Sequence, residues 1–317
     1  MLRTSEARFV FFAQDVFHGL SRRIMEASPR VNQVLLSLGV ESLDVAIAEQ
    51  IRASRSLTHR PSARSAYRLG GQVLSEITQR RWLQAALTLS PFEVEVERWL
   101  GTRAALWVPR TIMDRPLPFS TVDGRVGCVS TLNHPPNLDG LDRLCQALVV
   151  GRSEQLRLRI VGTPDSDGQA LARRFPFVEY LGWLDDKSLR SEASTWCCFA
   201  HPLFVKAKGC STKLGVALGW GLPIATTVHG ARGYVWDAGR LPLASTPDEL
   251  ADFVRERSRA DRFATFQQQT QVIVNQTPTL ASVAEHMRAF LLNPVIPAGK
   301  AGSRPMRAFD PVVANQE

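Results

Sequence analysis

The chain has 317 residues, of which 44% are hydrophobic and 21% charged, enough to bury the core of one large domain or two ordinary ones. Its formal net charge of +8 points to acidic partners, and no apolar run reaches the roughly 18–20 residues of a membrane-spanning helix. Five cysteines, with only Cys197 and Cys198 close together, set out neither a disulfide framework nor a zinc pattern, so a reducing, cytoplasmic setting is expected.

In chain order, ARFVFFAQ (7–14) reads as a buried strand, too short for a secretory leader, and VFHGLSRRIMEA (16–27) has helical spacing. Asp15 and His18 follow that strand; Asp15 can cap the helix, and His18 can face either solvent or a cleft. Residues 40–53 and 66–84 are also helix-like, and the arginine-rich, acid-free stretch 51–68 suits a solvated connection or contact with an anionic membrane surface. AALTLS (85–90) is a second strand, PFEVEVERWLG (91–101) opens a helix with proline in its first turn, and AALWV (104–108) is a third strand. Three strands are too few for a complete doubly wound domain, so 1–115 is expected to be a partial N-terminal α/β domain.

Beyond a turn-rich connector, strands and helices alternate. Strands are expected at 125–131, 156–162, 178–182, 196–201 and 222–227, and helices at 138–149, 167–175, 186–194 and 211–221. That alternation implies a parallel sheet with helices on both faces, a Rossmann-like C-terminal domain over 116–293. The tail from Pro294 to residue 317, rich in proline, alanine and glycine, is expected to be disordered.

Of 38 basic residues only five are lysines, and three of them, Lys206, Lys208 and Lys213, fall within eight positions in KAKGCSTKLGVALGWGLPIATT (206–227). A strand, a glycine-containing loop and a helix start form the geometry of an anion site: the first helical amides are unpaired and carry the positive end of the dipole. Gly209 allows close backbone approach, Ser211 is an N-cap candidate, and Lys213 can bring its ammonium to the same place. The plain alternative is a surface loop with solvated lysines.

The run VGTPDSDGQALARRFPFVEYLGWLDDKSLRSEASTWCCFAHPLFVKAKGCSTKLGVALGWGLPIATTVHGARGY (161–234) resembles the C-terminal domain of the GT-B glycosyltransferases, specifically the family-4 group of retaining enzymes (glycosyl transferases group 1). GCVSTLNHPPNLDGLDRL (127–144) is similar to the opening strand and Pro-Asn helix start of one branch, and ALTLSPFEVEVERWLGTRAALWVPR (86–110) resembles the segment closing the N-terminal domain. The resemblance implies a GT-B-like fold that begins midway through its N-terminal domain. It also implies transfer of a sugar from a nucleoside diphosphate donor, with retained configuration, to a glycan, lipid-linked or small-molecule acceptor. No cofactor or metal is implied, and Asp165 and Asp167 in PDSDG read as a turn.

By this resemblance Lys213 stabilises the leaving diphosphate, with Gly209, Cys210, Ser211, Thr212 and Lys208 around it, while Ser130 and Thr131 reach the phosphates from a strand end. His18 would lie near the donor sugar. Trp183 and Leu184 fall where the family's backbone meets the nucleobase, with core packing as the alternative. The helix position that commonly holds a ribose-binding glutamate is Val216, and a second glutamate eight positions earlier is Lys208. Cys197 and Cys198 read as inert core, His134 as part of a pre-helical turn, Asn137 as an N-cap, and His229 as a loop residue. The rival readings are a catalytically impaired scaffold acting as a binding or partner subunit, a nucleotide-sugar epimerase, and, weakest, a nucleic-acid binder, for which no aromatic-rich basic motif is present.

Overall fold

The computed structural model describes residues 85–99, 101–151, 153–205 and 209–292. The elements expected before residue 85, with Asp15 and His18, the tail from Pro294, and Lys206 and Lys208 all lie outside the described residues.

The described chain opens with β1 (Ala85–Thr88), α1 (Pro91–Trp99) and β2 (Ala104–Trp107), a parallel two-stranded unit. Five further strands follow: β3 (Arg125–Thr131), β4 (Arg157–Thr163), β5 (Val178–Gly182), β6 (Cys198–His201) and β7 (Ile224–Thr226). They form one all-parallel sheet in the order β5-β4-β3-β6-β7. The chain lays down β3, β4 and β5 outward in one direction, then returns to the other side of β3 for β6 and β7. The reversal lies between β3 and β6, and in parallel sheets the crevice that takes a ligand lies at the carboxyl ends of the strands at such a reversal.

Helices cover both faces: α2 (Pro135–Val149), α3 (Asp165–Arg174), α4 (Asp186–Ala193), α5 (Thr212–Gly219), α6 (Pro247–Arg257), α7 (Phe263–Gln276) and α8 (Leu280–Leu292). Alternate strand residues feed two cores, as the two-residue period of a strand requires. Cys128, Leu158, Ile160, Cys198, Ala200 and Ala225 pack with Leu141 and Leu144 of α2 and with Leu250 and Val254 of α6. On the other face Val161, Phe199 and Ile224 meet Leu214 and Leu218 of α5 and Ile273 of α7. Gly127 stands where any Cβ would overlap the Trp196 indole, so the missing side chain is what lets that ring reach the sheet.

Two arginines towards the amino ends of the strands are held in different ways. The Arg159 guanidinium binds Glu192 at 2.7 Å and also binds Glu179, while the Trp196 indole N–H donates to Glu192 at 2.8 Å. Arg257, buried between α6 and α7, lies 4.7 Å from the Phe253 ring and 4.9 Å from the Phe266 ring, a cation held by two aromatic faces.

Three local expectations are corrected. Helix α2 begins at Pro135 rather than 138, because prolines fit the first helical turn, where no amide partner is needed. Its N-cap is therefore His134; Asn137 lies inside the first turn and donates to the Thr131 carbonyl at 3.0 Å. Asp165 and Asp167 belong to the first turn of α3, not to a loop, where acidic side chains complement the helix dipole. The sequence reading assigned nothing to α6, although its capping box was visible in Thr246-Pro-Asp-Glu249: Glu249 N–H donates to Thr246 Oγ at 3.2 Å and Thr246 N–H to Glu249 Oε2 at 3.3 Å.

Candidate functional site

At the end of β6 the chain passes through a loop into α5. Ser211 is the N-cap, its Oγ accepting from the Leu214 N–H at 3.3 Å, and its carbonyl accepts from the Tyr234 hydroxyl. The amides of Thr212 and Lys213, in the first turn, have no helical carbonyl one turn back to pair with. Gly209 takes a φ of +71°, which glycine adopts without strain.

The Lys213 side chain is half-buried and turned inward. Its charge acts on Cys128 of β3 and on His201 of β6, the two strands that flank the reversal of the sheet order. Burial lowers the Lys213 pKa below the ordinary 10.5, with Cys128 opposing the shift. It forms no ion pair with any described residue. Cys128 itself is pushed up to about 12 by burial, against the pull of Lys213, and so is a neutral thiol.

His201 lies beside it, 7% exposed, with no hydrogen-bond partner for Nε2. Burial, then the positive charges of Lys213 and Arg232, lower its pKa to about 3, so the imidazole is neutral. Arg232, in the loop after β7, donates from Nη1 to the His229 carbonyl at 2.9 Å. Two cations and a neutral imidazole thus gather at the carboxyl ends of β3, β6 and β7, an arrangement that attracts an anion from the crevice.

The other expected residues divide. Ser130 is buried at the end of β3 and Thr131 is exposed next to it. Trp183 is 71% exposed, which removes it from the core, whereas Leu184 packs on the core formed with α5. Val216, 48% exposed, stands one turn beyond Lys213 on α5. Cys210 is partly buried; Cys197 and Cys198 are buried, with Cys197 raised to about 11 by desolvation. All five cysteines are free.

Sequence reasoning missed His201, read only as the last residue of a strand, and Arg232. The available signal was position, since both stand just where parallel strands end. Among the described residues no group of three or more His, Cys, Asp and Glu side chains could hold a metal ion, and no helix is long and apolar enough to cross a membrane. Two cavities lie elsewhere: 630 Å³ between α2 and α3, beside Asp142 and Arg174, and 510 Å³ at the amino ends of the strands, beside Gly124 and Leu156.

Residues 123–258 match the family model described as glycosyl transferases group 1. No curated protein matches the chain. Among solved structures, a variant of S. aureus TarM in complex with fondaparinux, alpha-GlcNAc-glycerol and UDP superposes with a TM-score of 0.56 at 13% identity, covering 75% of this chain and 48% of that one. Anabaena Alr3699/HepE in complex with UDP and glucose gives 0.53 at 16% identity, with 80% and 76% covered. WaaG, a glycosyltransferase involved in lipopolysaccharide biosynthesis, gives 0.54 at 16% identity, with 77% and 72% covered. The chain therefore spans about half the length of TarM, and the likeness is one of fold. That fold is the GT-B glycosyltransferase fold, and within it residues 123–258 match the glycosyl transferases of group 1.

Proposed function

We propose that the protein transfers a sugar from a nucleoside diphosphate sugar to a glycan, lipid-linked or small-molecule acceptor, with retention of configuration at the sugar carbon. The observation that carries the reading is the inward-turned Lys213 ammonium, half-buried and without an ion pair among the described residues, at the first turn of α5. As the bond between the anomeric carbon and the phosphate oxygen breaks, negative charge grows on the departing diphosphate. A fixed cation and helical amides stabilise that charge more than the ground state, which is the requirement for catalysis. The leaving-group charge is assigned to Lys213 and these amides, with no metal or cofactor given a role. TarM and Alr3699/HepE have been solved with UDP, which supports UDP as the first donor nucleotide to try.

The exposed Trp183 offers a flat apolar face near the end of β5, suited to a nucleobase, and Ser130 and Thr131 supply hydroxyls at the end of β3. The five free cysteines suit a reducing, cytoplasmic compartment. A second reading rests on Val216: an exposed apolar side chain on the turn after Lys213 cannot accept a ribose hydroxyl hydrogen bond, which favours a scaffold that binds donors weakly and turns nothing over. A panel of UDP- and GDP-sugars decides between them. Release of nucleoside diphosphate by the wild type, abolished in Lys213→Ala, supports the transferase; binding without turnover supports the scaffold.

A further inference from the structure

The loop that leads into α5 is gripped by a residue from outside the five-stranded sheet. Glu93, in the first turn of α1, is 5% exposed. Its Oε2 accepts from the Ser90 hydroxyl at 2.9 Å, and the same oxygen accepts from the Gly209 backbone N–H at 3.1 Å. The first bond ties Glu93 to the residue just before α1. The second crosses 116 residues of sequence to the loop before the proposed diphosphate cradle.

Other contacts make this a seam rather than a single bond. The Arg110 N–H donates to the Gly233 carbonyl at 2.9 Å. A Cβ on Gly233, whose φ is +82°, would overlap the Cys210 side chain and the Leu89 carbonyl. The Tyr234 hydroxyl, in turn, donates to the Ser211 carbonyl. Residues 209–211 are thus held between β1–α1 on one side and the loop after β7 on the other. Glu93 raises the pKa of the Cys210 thiol, although burial is the larger cause and Arg110 and Arg232 act the other way. It is not among the charges acting on Lys213. The carboxylate therefore braces the loop without an ion pair to that ammonium.

We propose that Glu93 is a positioning residue for the diphosphate cradle: by fixing the Gly209 amide it sets where the Thr212 and Lys213 amides and the Lys213 ammonium stand. This rests on the transferase reading for its consequence, though not for its geometry. The small β1–α1–β2 unit thereby belongs to the donor site as well as to the other half of the molecule.

The test compares Glu93→Gln, which keeps an acceptor oxygen at full reach, with Glu93→Asp and Glu93→Ala, in the full chain. Asp retains the charge and an acidic residue in the first turn of α1 but retracts the oxygen by one methylene, so it keeps the fold if Ala does not. Hydrogen exchange in peptides covering 209–214 is expected to quicken about tenfold in Asp and Ala, with β3 and β4 unchanged, and to stay within about threefold of wild type in Gln. UDP affinity and kcat are expected to fall about tenfold in Asp and Ala and to be rescued in Gln. Unchanged exchange in Asp and Ala, or identical behaviour of Gln and Ala, overturns the proposal. If the wild type binds neither UDP nor GDP, the transferase reading fails, and the exchange pattern alone still decides whether Glu93 braces the loop.

Discussion

The two ends of the five-stranded sheet handle charge in opposite ways. Towards the amino ends most ions meet partners, Arg159 with Glu192 and Glu179 and Arg259 with Asp261 at 2.7 Å, and the buried Arg257, which has no ion pair, is covered by the Phe253 and Phe266 rings. At the carboxyl ends Lys213 is half-buried with no ion pair among the described residues, and the buried His201 leaves Nε2 without a partner. Burying polar groups unpaired costs stability, so the difference marks where the fold has accepted a cost for a ligand to relieve. Pairing at one end maintains the sheet; its absence at the other prepares a site.

The sharpest way to break this comparison is to remove the Lys213 charge. Lys213→Ala is expected to lower donor turnover about 10²–10³-fold with a thermal midpoint close to that of the wild type; a turnover loss accompanied by unfolding would assign Lys213 to stability instead. The converse variant is Arg159→Ala, which leaves the largely buried Glu192 carboxylate uncompensated. It is expected to cost about 3 kcal/mol in urea unfolding and to leave UDP affinity unchanged. Weakened UDP binding there would blur the division between the two ends.

His201 gives a pH signature of intermediate size. With a folded pKa of about 3 against an ordinary 6.5, the imidazole is neutral in both states at higher pH and has no effect there. As the pH falls below 6.5 the unfolded chain binds a proton that the folded chain refuses, so stability falls, by about 2 kcal/mol at about pH 5. His201→Phe is expected to flatten this acid limb in unfolding titrations, and an unchanged slope would place its origin elsewhere. The smallest effect is a gain: Val216→Glu supplies a carboxylate on the turn beyond Lys213 and is expected to tighten UDP binding about tenfold. No change in affinity would remove that position from the ribose contacts.

Much of the architecture was legible because it follows from periodicity. β3, β4 and β5 alternate cleanly with α2, α3 and α4, and each strand lies within a residue of its expected limits. The donor-side loop could be read from Gly209, Ser211 and Lys213, since glycine, a capping hydroxyl and a first-turn lysine have local meanings. Contacts between distant segments were not legible. Nothing in PFEVEV shows that Glu93 will accept from Gly209, and nothing in WCCFAH shows that His201 will be buried beside two cations. Such relations are set by the order β5-β4-β3-β6-β7, which sequence spacing does not specify. The helices after residue 246 differ in legibility: α8 buries only Val283 and shows no clear apolar stripe, whereas α6 is marked by its capping box and by Leu250, Ala251 and Val254.

The central claim is that the Lys213 ammonium carries the diphosphate, and the pH dependence of UDP affinity tests it most directly. Calorimetric titration of the wild type should show affinity falling on the alkaline side, starting below the ordinary lysine pKa of 10.5 because burial favours the neutral amine. In Lys213→Arg, whose guanidinium stays charged, that fall should vanish. Identical alkaline profiles in the two proteins, or binding of neither UDP nor GDP at any pH, would contradict the account.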